Sequence, residues 1–472
     1  MKKLFKWKNS KSHKEKEINP NNSNEEREPR PKKSIFRRFC TAVFLKPEEH
    51  NFAKQKSSAN NYTEPDTEDF ILFYLLEINK NLMLNSKENP SQLGKLNFIT
   101  TLMKELNNEN IDLKEVSSCC MEGIPSKCRL LRPICWKLIL SYLPPKKSKW
   151  KESLELKRML YDNYVEMAFQ GKRNNSFLME NFPSEDVLHS KGLAKVHFES
   201  CNSNDHPLSN EKTSNWNNFF NDQKLWDEIE KDTKRTKNHS PFFSDINMNN
   251  EFYHYPNLST KMRESTIDFE NHYVAITRLL FVFAKQNPDV KYVQGMNEII
   301  ATLYYCFYND EHPFFKKNCE VDAYFCFERI MQEIKENFLL GSDKKLVEMD
   351  HRTKQFSEIF KKTDLKLWEH LKKFNVSPEF YFSKWLILML TQEFDLEEIL
   401  NIWDPILASK NFLDYVSYLC LGILFSMRDQ LVGAEFEGIM ELLQNTSKLN
   451  IKSILKISNN VFKEVGNEGK KK

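Results

Sequence analysis

The spacing of apolar residues predicts a chain built from helices. In "QLGKLNFITTLMKELN" and "FENHYVAITRLLFVFAKQNP", apolar side chains recur every three or four residues, which is the repeat of a helix with one buried face. "GMNEIIATLYYCFY" is apolar nearly all round, which is typical of a buried helix. No stretch alternates apolar and polar residues as a half-buried strand does. We therefore predict an all-α fold.

Breaks in this pattern divide the chain. Residues 1–65 are dominated by Lys, Asn, Glu, Ser and Pro, a composition that buries too little surface to fold, so we predict a disordered basic tail. Helical spacing begins at residue 66, and 66–120 are predicted to be helices that pack on the domain after them. Residues 200–217 read as a polar loop, and 237–268 read as an irregular segment.

Composition agrees with a helical protein in a reducing compartment. Only 11 of the 472 residues are Gly, which favours helices over folds with many tight turns. The ten Cys include no C-x-x-C pair and the chain opens with no secretory signal, so we expect reduced thiols in a cytoplasmic protein. The longest apolar run, "FILFYLLEINKNLML", is too short and interrupted to cross a bilayer.

The charge is concentrated at the start of the chain. Residues 1–39 carry 13 Lys and Arg against 5 Glu, whereas the whole chain has a net charge of +3. One interpretation is a solvated tail; the other is peripheral attraction to anionic endomembranes, with "SIFRRFCTAVFLK" as an interfacial anchor. Nucleic acid is a poorer fit, because the aromatic residues of the folded part do not alternate with a basic face.

Several kinds of catalytic site are absent from the sequence. It contains no GxxxxGK[ST] or GxGxxG phosphate loop, no HExxH metal motif and no GxSxG nucleophile turn, and its His residues are scattered. We therefore predict no cofactor and no metal site. A catalyst of this composition has to supply side chains to the active site of another protein.

Three short motifs offer such side chains. "IEKDTKRT" (229–236) places Asp232 three residues before Arg235; on a helix the two share one face, either as a surface ion pair or with Asp232 aiming a guanidinium at phosphate oxygens. "YVQG" (292–295) places Gln294 in the turn that starts a helix, where it is either incidental or chemical. "RPICW" (132–136) looks like packing.

In this order, R-x-x-x-W, I-x-x-D-x-x-R and Y-x-Q resemble the motifs of the TBC (Tre/Bub/Cdc) domain family of Rab GTPase-activating proteins. The resemblance covers roughly 121–460, and "WNNFFNDQKLWDEIEKDTKRT" and "YVQGMNEIIATLYYCF" look most like the member-13 subgroup. It implies a TBC domain over 121–465 with two helical lobes, about 121–305 and 306–465.

The resemblance also implies a dual-finger mechanism and a trafficking role. Arg235 would stabilise phosphate charge on a GTP-bound Rab partner, and Gln294 would position the attacking water. Asp232, Tyr292 and Gly295 would support the two fingers. GTP and Mg²⁺ would belong to the partner GTPase, so whether the chain counts as an enzyme stays open. Arg132, Trp136, Trp403 and Asp404 match structural positions of the family, and we interpret the last two as packing and helix-cap residues.

One departure and two alternatives remain. Lys384 stands where the family more often has Arg, which would weaken a structural ion pair without touching the fingers. The first alternative function is a non-catalytic TBC scaffold that binds a GTPase or an effector. The second is an adaptor whose basic tail holds it at a membrane.

Overall fold

The computed structural model describes seven segments of the chain, and their regular secondary structure is helical. These segments are residues 101–124, 131–170, 215–236, 240–244, 272–310, 312–338 and 343–468. Within these ranges the β pairing consists of one isolated bridge, between Asn110 and Lys146. The all-α prediction is confirmed for this part of the chain.

The first part contains a helical segment over 101–107 and five further helices. These are α1 (Leu113–Met121), α2 (Leu131–Ile139), α3 (Trp150–Gln170), α4 (Asn215–Thr233) and the single turn α5 (Pro241–Ser244). The Asp112 side chain caps α1 by accepting a hydrogen bond from the Lys114 N–H at 2.8 Å. Gly123 follows the helix with a φ of 83°, which Gly adopts readily. Pro133 lies in the first turn of α2, where a helix tolerates Pro.

The second part contacts the first and the third part through α7. It contains α6 (His272–Gln286), α7 (Met296–Tyr308), α8 (Pro313–Lys317) and α9 (Cys319–Ile334). Every residue of α7 except Tyr305 and Tyr308 is buried, and α7 packs against α2, α4, α6 and α9. The prediction of a buried helix here is confirmed. Helix α6 ends at Gln286, just before Pro288, as the sequence predicts.

The third part contains eight helices. They are α10 (Asp343–Thr363), α11 (Leu365–Lys373), α12 (Phe382–Ile387), α13 (Leu396–Ala408), α14 (Phe412–Ser426), α15 (Arg428–Val432), α16 (Phe436–Gln444) and α17 (Ile451–Glu468). Helix α14 packs closely on α17 because Gly422 has no side chain: a Cβ there would lie 2.1 Å from the Ser458 Oγ and 2.9 Å from the Ile454 carbonyl oxygen. Helix α13 packs on α1 and α2 and so joins the third part to the first.

Three predicted boundaries are corrected by the structure. Helix α4 begins at Asn215, inside the predicted polar loop 200–217. The predicted irregular segment 237–268 contains the turn of helix α5. Apolar spacing in "FYFSKWLILMLTQEF" predicts one continuous helix, but the structure has only the shorter α12 there, because Met389 and Leu390 have φ values of 49° and 64°. Both side chains are fully buried, so packing decides the backbone there against the local periodicity.

Several predictions lie outside the described residues. These are the basic tail 1–65, its "SIFRRFCTAVFLK" anchor, the helices predicted over 66–100, and most of the two segments just discussed. The division into lobes near residue 305 stays a prediction. Among the described helices, none is both long and apolar enough to cross a membrane.

Candidate functional site

Arg235 lies in the turn that follows α4. The backbone tightens at the end of this helix: the Arg235 N–H donates to the Asp232 carbonyl oxygen at 3.0 Å, and the Thr236 N–H donates to that of Thr233 at 2.9 Å. These bonds reach back three residues, as in a 3₁₀ turn, instead of four. The Arg235 side chain is exposed, whereas Asp232 and Thr236 are buried.

Arg235 lies beyond α4, which ends at Thr233, and so is not on the predicted helix with Asp232. Side chains three residues apart in a 3₁₀ turn still lie on one face. The Asp232 carboxylate accepts a hydrogen bond from the Tyr292 hydroxyl at 2.9 Å. Asp232 fixes the backbone of Arg235 through its main-chain carbonyl. The sequence spacing predicted a helix through Arg235, whereas the structure has a turn over 234–236 after α4.

Gln294 lies in the turn that starts α7, as predicted. Gly295 is the N-cap of α7 and has a φ of 107°, in the left-handed region that favours Gly. A Cβ on Gly295 would lie 2.6 Å from the Leu388 Cδ2. The Gly is thus required by its own backbone conformation and by a neighbouring side chain. The Gln294 side chain is exposed.

Hydrogen bonds join the Arg235 turn to the Gln294 turn. The Tyr292 hydroxyl donates to Asp232. The Asn297 Nδ2 donates to the Thr236 Oγ at 2.7 Å and to the Asp232 carbonyl oxygen at 3.4 Å. Two segments about 60 residues apart in sequence therefore meet at the contact of α4 with α7. The exposed side chains Arg235 and Gln294 stand on this shared, buried base.

The buried hydroxyl of Tyr292 stays protonated. Burial raises the pKa of Tyr292 far above its ordinary value, and the negative charge of Asp232 raises it further. A neutral hydroxyl keeps its proton and can donate a hydrogen bond to the carboxylate at every physiological pH. Tyr292 therefore holds Asp232 in place without adding charge beside Arg235.

Arg132 and Trp136 belong to a different place in the structure. Both are buried on α2 and both bind Asp404 of α13: the Arg132 Nε and the Trp136 Nε1 each donate to Asp404 Oδ1 at 2.9 Å. The Arg132 Nη2 donates to Asp404 Oδ2 at 3.0 Å and to the Ile124 carbonyl oxygen at 3.1 Å. This network joins the first part of the chain to the third.

Asp404 is not a helix cap. It lies inside α13, eight residues after the first helical residue Leu396, and it is fully buried. Burial raises the pKa of Asp404, and the Arg132 guanidinium acts in the opposite direction. Trp403 fits the packing interpretation: its ring lies 5.9 Å from that of Trp136, and its Nε1 donates to the Met389 carbonyl oxygen at 3.1 Å.

Sequence reasoning missed two residues of the site, Asn297 and Thr236. Each follows a predicted finger closely, in "QGMN" and in "RT", but neither motif spacing nor periodicity singles them out. Their role depends on the contact between α4 and α7, which a single sequence does not display. In the described part of the chain, no group of three or more His, Cys, Asp or Glu side chains is placed to hold a metal ion.

Comparisons with known proteins agree with the motif resemblance. A family model for the Rab-GTPase-TBC domain matches residues 258–432, a range that includes Gln294 but not Arg235. Human TBC1 domain family member 13 is 28% identical over 395 residues, which cover 74% of this chain and 94% of that protein. The mouse protein of the same name is 28% identical over 398 residues with the same coverage.

The fold is shared with a solved structure. The crystal structure of the Ypt/Rab-GAP domain of Gyp1p matches with a TM-score of 0.56 at 18% sequence identity, covering 78% of this chain and 97% of that domain. At this identity the match concerns the fold alone. The described helices are therefore arranged as in a known Rab-GAP domain.

Proposed function

Because the chain carries a Rab-GTPase-TBC domain, we propose that it accelerates GTP hydrolysis by a Rab-family GTPase and so regulates vesicle trafficking. The observation that carries the proposal is the placement of its two polar side chains. Arg235 and Gln294 are exposed on neighbouring turns, and Asp232, Tyr292 and Asn297 join these turns beneath them. Hydrogen bonds hold this base together, and the exposed side chains of Arg235 and Gln294 are accessible to a partner.

Arg235 supplies positive charge to the reaction. GTP hydrolysis is slow because negative charge builds on the phosphate oxygens while nothing offsets it. A guanidinium stays protonated and presents several N–H donors in one plane, which suits a group of phosphate oxygens. An arginine supplied in trans accelerates such reactions by about 10³–10⁵, or roughly 4–7 kcal/mol of barrier. GTP and Mg²⁺ belong to the partner GTPase.

Gln294 holds the attacking water. A primary amide both donates and accepts, so one Gln side chain can bind the water and a γ-phosphate oxygen together. The turn that carries Gln294 is joined to the Arg235 turn by the hydrogen bond from Asn297 to Thr236, which supports this role. Gln294 can thereby take the place of a glutamine that many GTPases provide themselves.

The placement of the backbone limits the entropy lost on binding. The backbone N–H of Arg235 and the N–H of Gly295, which follows Gln294, are both held by hydrogen bonds. Few main-chain torsions therefore have to be fixed when the complex forms. Asp232 supports Arg235 through the main chain, and Tyr292 supports Asp232. Membrane contact through the basic residues 1–39 is a separate part of the proposal and stays a prediction.

A TBC scaffold that binds a GTPase without catalysis is the second candidate. Such a scaffold needs a complementary surface, but it has no use for an exposed Arg and an exposed Gln on hydrogen-bonded turns. The arrangement of Arg235 and Gln294 therefore favours catalysis. The two functions differ in one measurable respect: only the catalyst changes the rate of GTP hydrolysis.

The test is a GTP-hydrolysis screen of the full chain against a panel of Rab GTPases. On a responsive Rab, we expect Arg235→Ala and Arg235→Lys to lower the stimulated rate by about 10³-fold or more while Rab binding is kept. Gln294→Ala should be similarly damaging with a Rab that does not use its own glutamine.

Lys234→Ala is the matched control. Lys234 is the exposed neighbour of Arg235 in the same turn, and its Nζ pairs with Glu230 at 3.0 Å. Its removal takes one positive charge from the turn and should leave the stimulated rate close to that of the wild type. Equal rates for Arg235→Ala and the wild type would refute the assignment. Binding by the wild type without any stimulation would favour the scaffold.

A further inference from the structure

We propose that Asn297 is a positioning residue that fixes the separation of Arg235 from Gln294. The inference deepens the proposed function and rests on it for its catalytic consequence. It starts from one side chain that reaches both turns at once. Asn297 lies in the first turn of α7 and is 5% exposed.

The two ends of the Asn297 amide bind opposite sides of the site. Its Oδ1 accepts the Gly295 N–H at 3.0 Å, and Gly295 directly follows Gln294. Its Nδ2 donates to the Thr236 Oγ at 2.7 Å, and Thr236 directly follows Arg235. Each end of one planar group is therefore anchored a single residue away from a proposed finger.

Further bonds fix the orientation of this amide. The Nδ2 also lies 3.4 Å from the Asp232 carbonyl oxygen, and the Oδ1 lies 3.3 Å from the Tyr292 hydroxyl. The Thr236 Oγ in turn donates to the Asp232 carbonyl oxygen at 3.2 Å. Because the amide is buried, each bond that is lost leaves a polar group unpaired, and this favours a single arrangement.

The residue type follows from these contacts. The group must accept on one side and donate on the other, and a carboxamide does both whereas a carboxylate at neutral pH only accepts. The side chain must also be short, since its Oδ1 binds the backbone N–H of Gly295, only two residues before it. The packing of α4 on α7 brings the two turns close together. The side chain of Asn297 then couples them through its two hydrogen bonds.

The catalytic consequence concerns the rate constant more than binding. A displacement of reacting groups on the order of 1 Å costs about 100-fold in rate. Contacts made only in the transition state lower kcat when they are lost, and they leave KM largely unchanged. Loosening the coupling should therefore lower kcat on a responsive Rab while KM for the GTP-bound Rab stays nearly constant.

The experiment compares Thr236→Val with Thr233→Val in the full chain. Both Thr residues are fully buried, and each hydroxyl makes a side-chain bond: that of Thr236 with Asn297, that of Thr233 with Thr277 at 2.8 Å. Thr233 lies at the end of α4, outside the coupling. We expect Thr236→Val to lower kcat by roughly 10- to 100-fold and Thr233→Val to leave it close to wild type.

Asn297→Ala should have the larger effect, because it removes both ends of the coupling. It deletes a buried side chain, however, so Thr236→Val decides the matter if Asn297→Ala does not fold. Equal kcat values for Thr236→Val and Thr233→Val would overturn the inference. A fall of the same size in both variants would show that general loosening, and not positioning, lowers the rate.

A second measurement does not depend on catalysis. Backbone hydrogen exchange at Gly295 reports the far turn directly, since its N–H is bound to Asn297. Thr236→Val should speed this exchange by roughly fivefold or more, although residue 236 lies in the other segment, and Thr233→Val should not. Unchanged exchange at Gly295 in Thr236→Val would refute the coupling even if the wild type stimulates no Rab.

A double mutant separates the coupling from other losses. If Thr236 and Asn297 act through Arg235, then Thr236→Val should lower the residual rate of Arg235→Ala by much less than it lowers the rate of the wild type. A full additional loss in the Arg235→Ala background would mean that Thr236 does not act through the guanidinium, and the inference would fail.

Discussion

Arg132 and Arg235 show how differently one residue type is used in two regions of the molecule. Arg132 is 2% exposed, and its guanidinium donates to Asp404, Asn401 and the Ile124 carbonyl oxygen. Arg235 is exposed and stands on a turn that is held from below. The buried Arg132 stabilises the fold, whereas the exposed Arg235 can reach a partner.

The two carboxylates repeat this contrast. Asp404 receives two N–H groups from Arg132, the Trp136 indole and the Ile124 N–H at 2.9 Å, so its charge is compensated within the core. Asp232 receives the neutral Tyr292 hydroxyl. The first arrangement neutralises a charge inside the protein. The second fixes a carboxylate with a neutral partner beneath an exposed Arg.

The largest expected effect on stability comes from Arg132→Ala. It leaves the fully buried carboxylate of Asp404 without its charged partner, so the free energy of unfolding should fall by about 3–5 kcal/mol. Denaturant unfolding of the full chain measures this change. Arg132→Met, which keeps much of the side-chain volume, should fall by a similar amount because the unpaired charge remains.

Arg235→Ala is the control from the other region. As an exposed turn residue, it should change the free energy of unfolding by no more than about 0.5 kcal/mol while it lowers the stimulated rate. The comparison would break if both arginines destabilised the protein equally. It would also break if Arg132→Ala were folded normally but inactive.

Local pattern predicted the helices of the described chain well. Amphipathic spacing in "FENHYVAITRLLFVFAKQNP" predicted α6 with its buried face, and "GMNEIIATLYYCFY" predicted the buried helix α7. These features depend on residues close together in sequence. The same is true of the Gln294 turn, where Gly295 adopts a conformation that few other residues tolerate.

Long-range contacts set the limit of prediction. The sequence does not reveal that Asp404 binds Arg132 and Trp136, because these partners lie about 270 residues away. The helix-cap interpretation of Asp404 is therefore wrong. The sequence contains no signal that ends α4 at Thr233, where Asn297 of α7 donates to the Asp232 carbonyl oxygen. Met389 and Leu390 leave the helical conformation to bury their side chains. In each case tertiary packing outweighs the local signal.

Gly295→Ala should have an intermediate effect and act on the exposed region. A left-handed φ costs about 1–2 kcal/mol for a residue with a Cβ, and the new methyl would meet the Leu388 Cδ2 at 2.6 Å. The Leu388 side chain can move, so we expect a loss of about 1–3 kcal/mol in the free energy of unfolding. The stimulated rate should also fall, because the turn that carries Gln294 shifts.

Gly433→Ala is the matched control for this prediction. Gly433 has a φ of −83°, and a Cβ there would meet its nearest atom at an ordinary 3.4 Å. Its replacement should be neutral or slightly stabilising, because Ala restricts the unfolded chain. If Gly295→Ala and Gly433→Ala were equally stable and equally active, the left-handed backbone of Gly295 would not be needed for stability or for the stimulated rate.

The smallest effect is expected for Lys384→Arg. The resemblance to the TBC family suggested a weakened ion pair here, yet the Lys384 Nζ lies 2.7 Å from the Glu393 Oε1. The Lys384 side chain is 52% exposed, so solvent screens the pair, and an Arg should change the free energy of unfolding by less than about 1 kcal/mol.

Arg428→Lys makes the reverse exchange, at a guanidinium that contacts both oxygens of Asp364, and the free energy of unfolding should fall by up to about 1 kcal/mol. Neither exchange should alter the stimulated rate, because neither pair contacts the turns of Arg235 and Gln294. A change in rate with Lys384→Arg alone would mean that this pair is coupled to the α4–α7 contact, and the division between a structural and a catalytic region would then have to be redrawn.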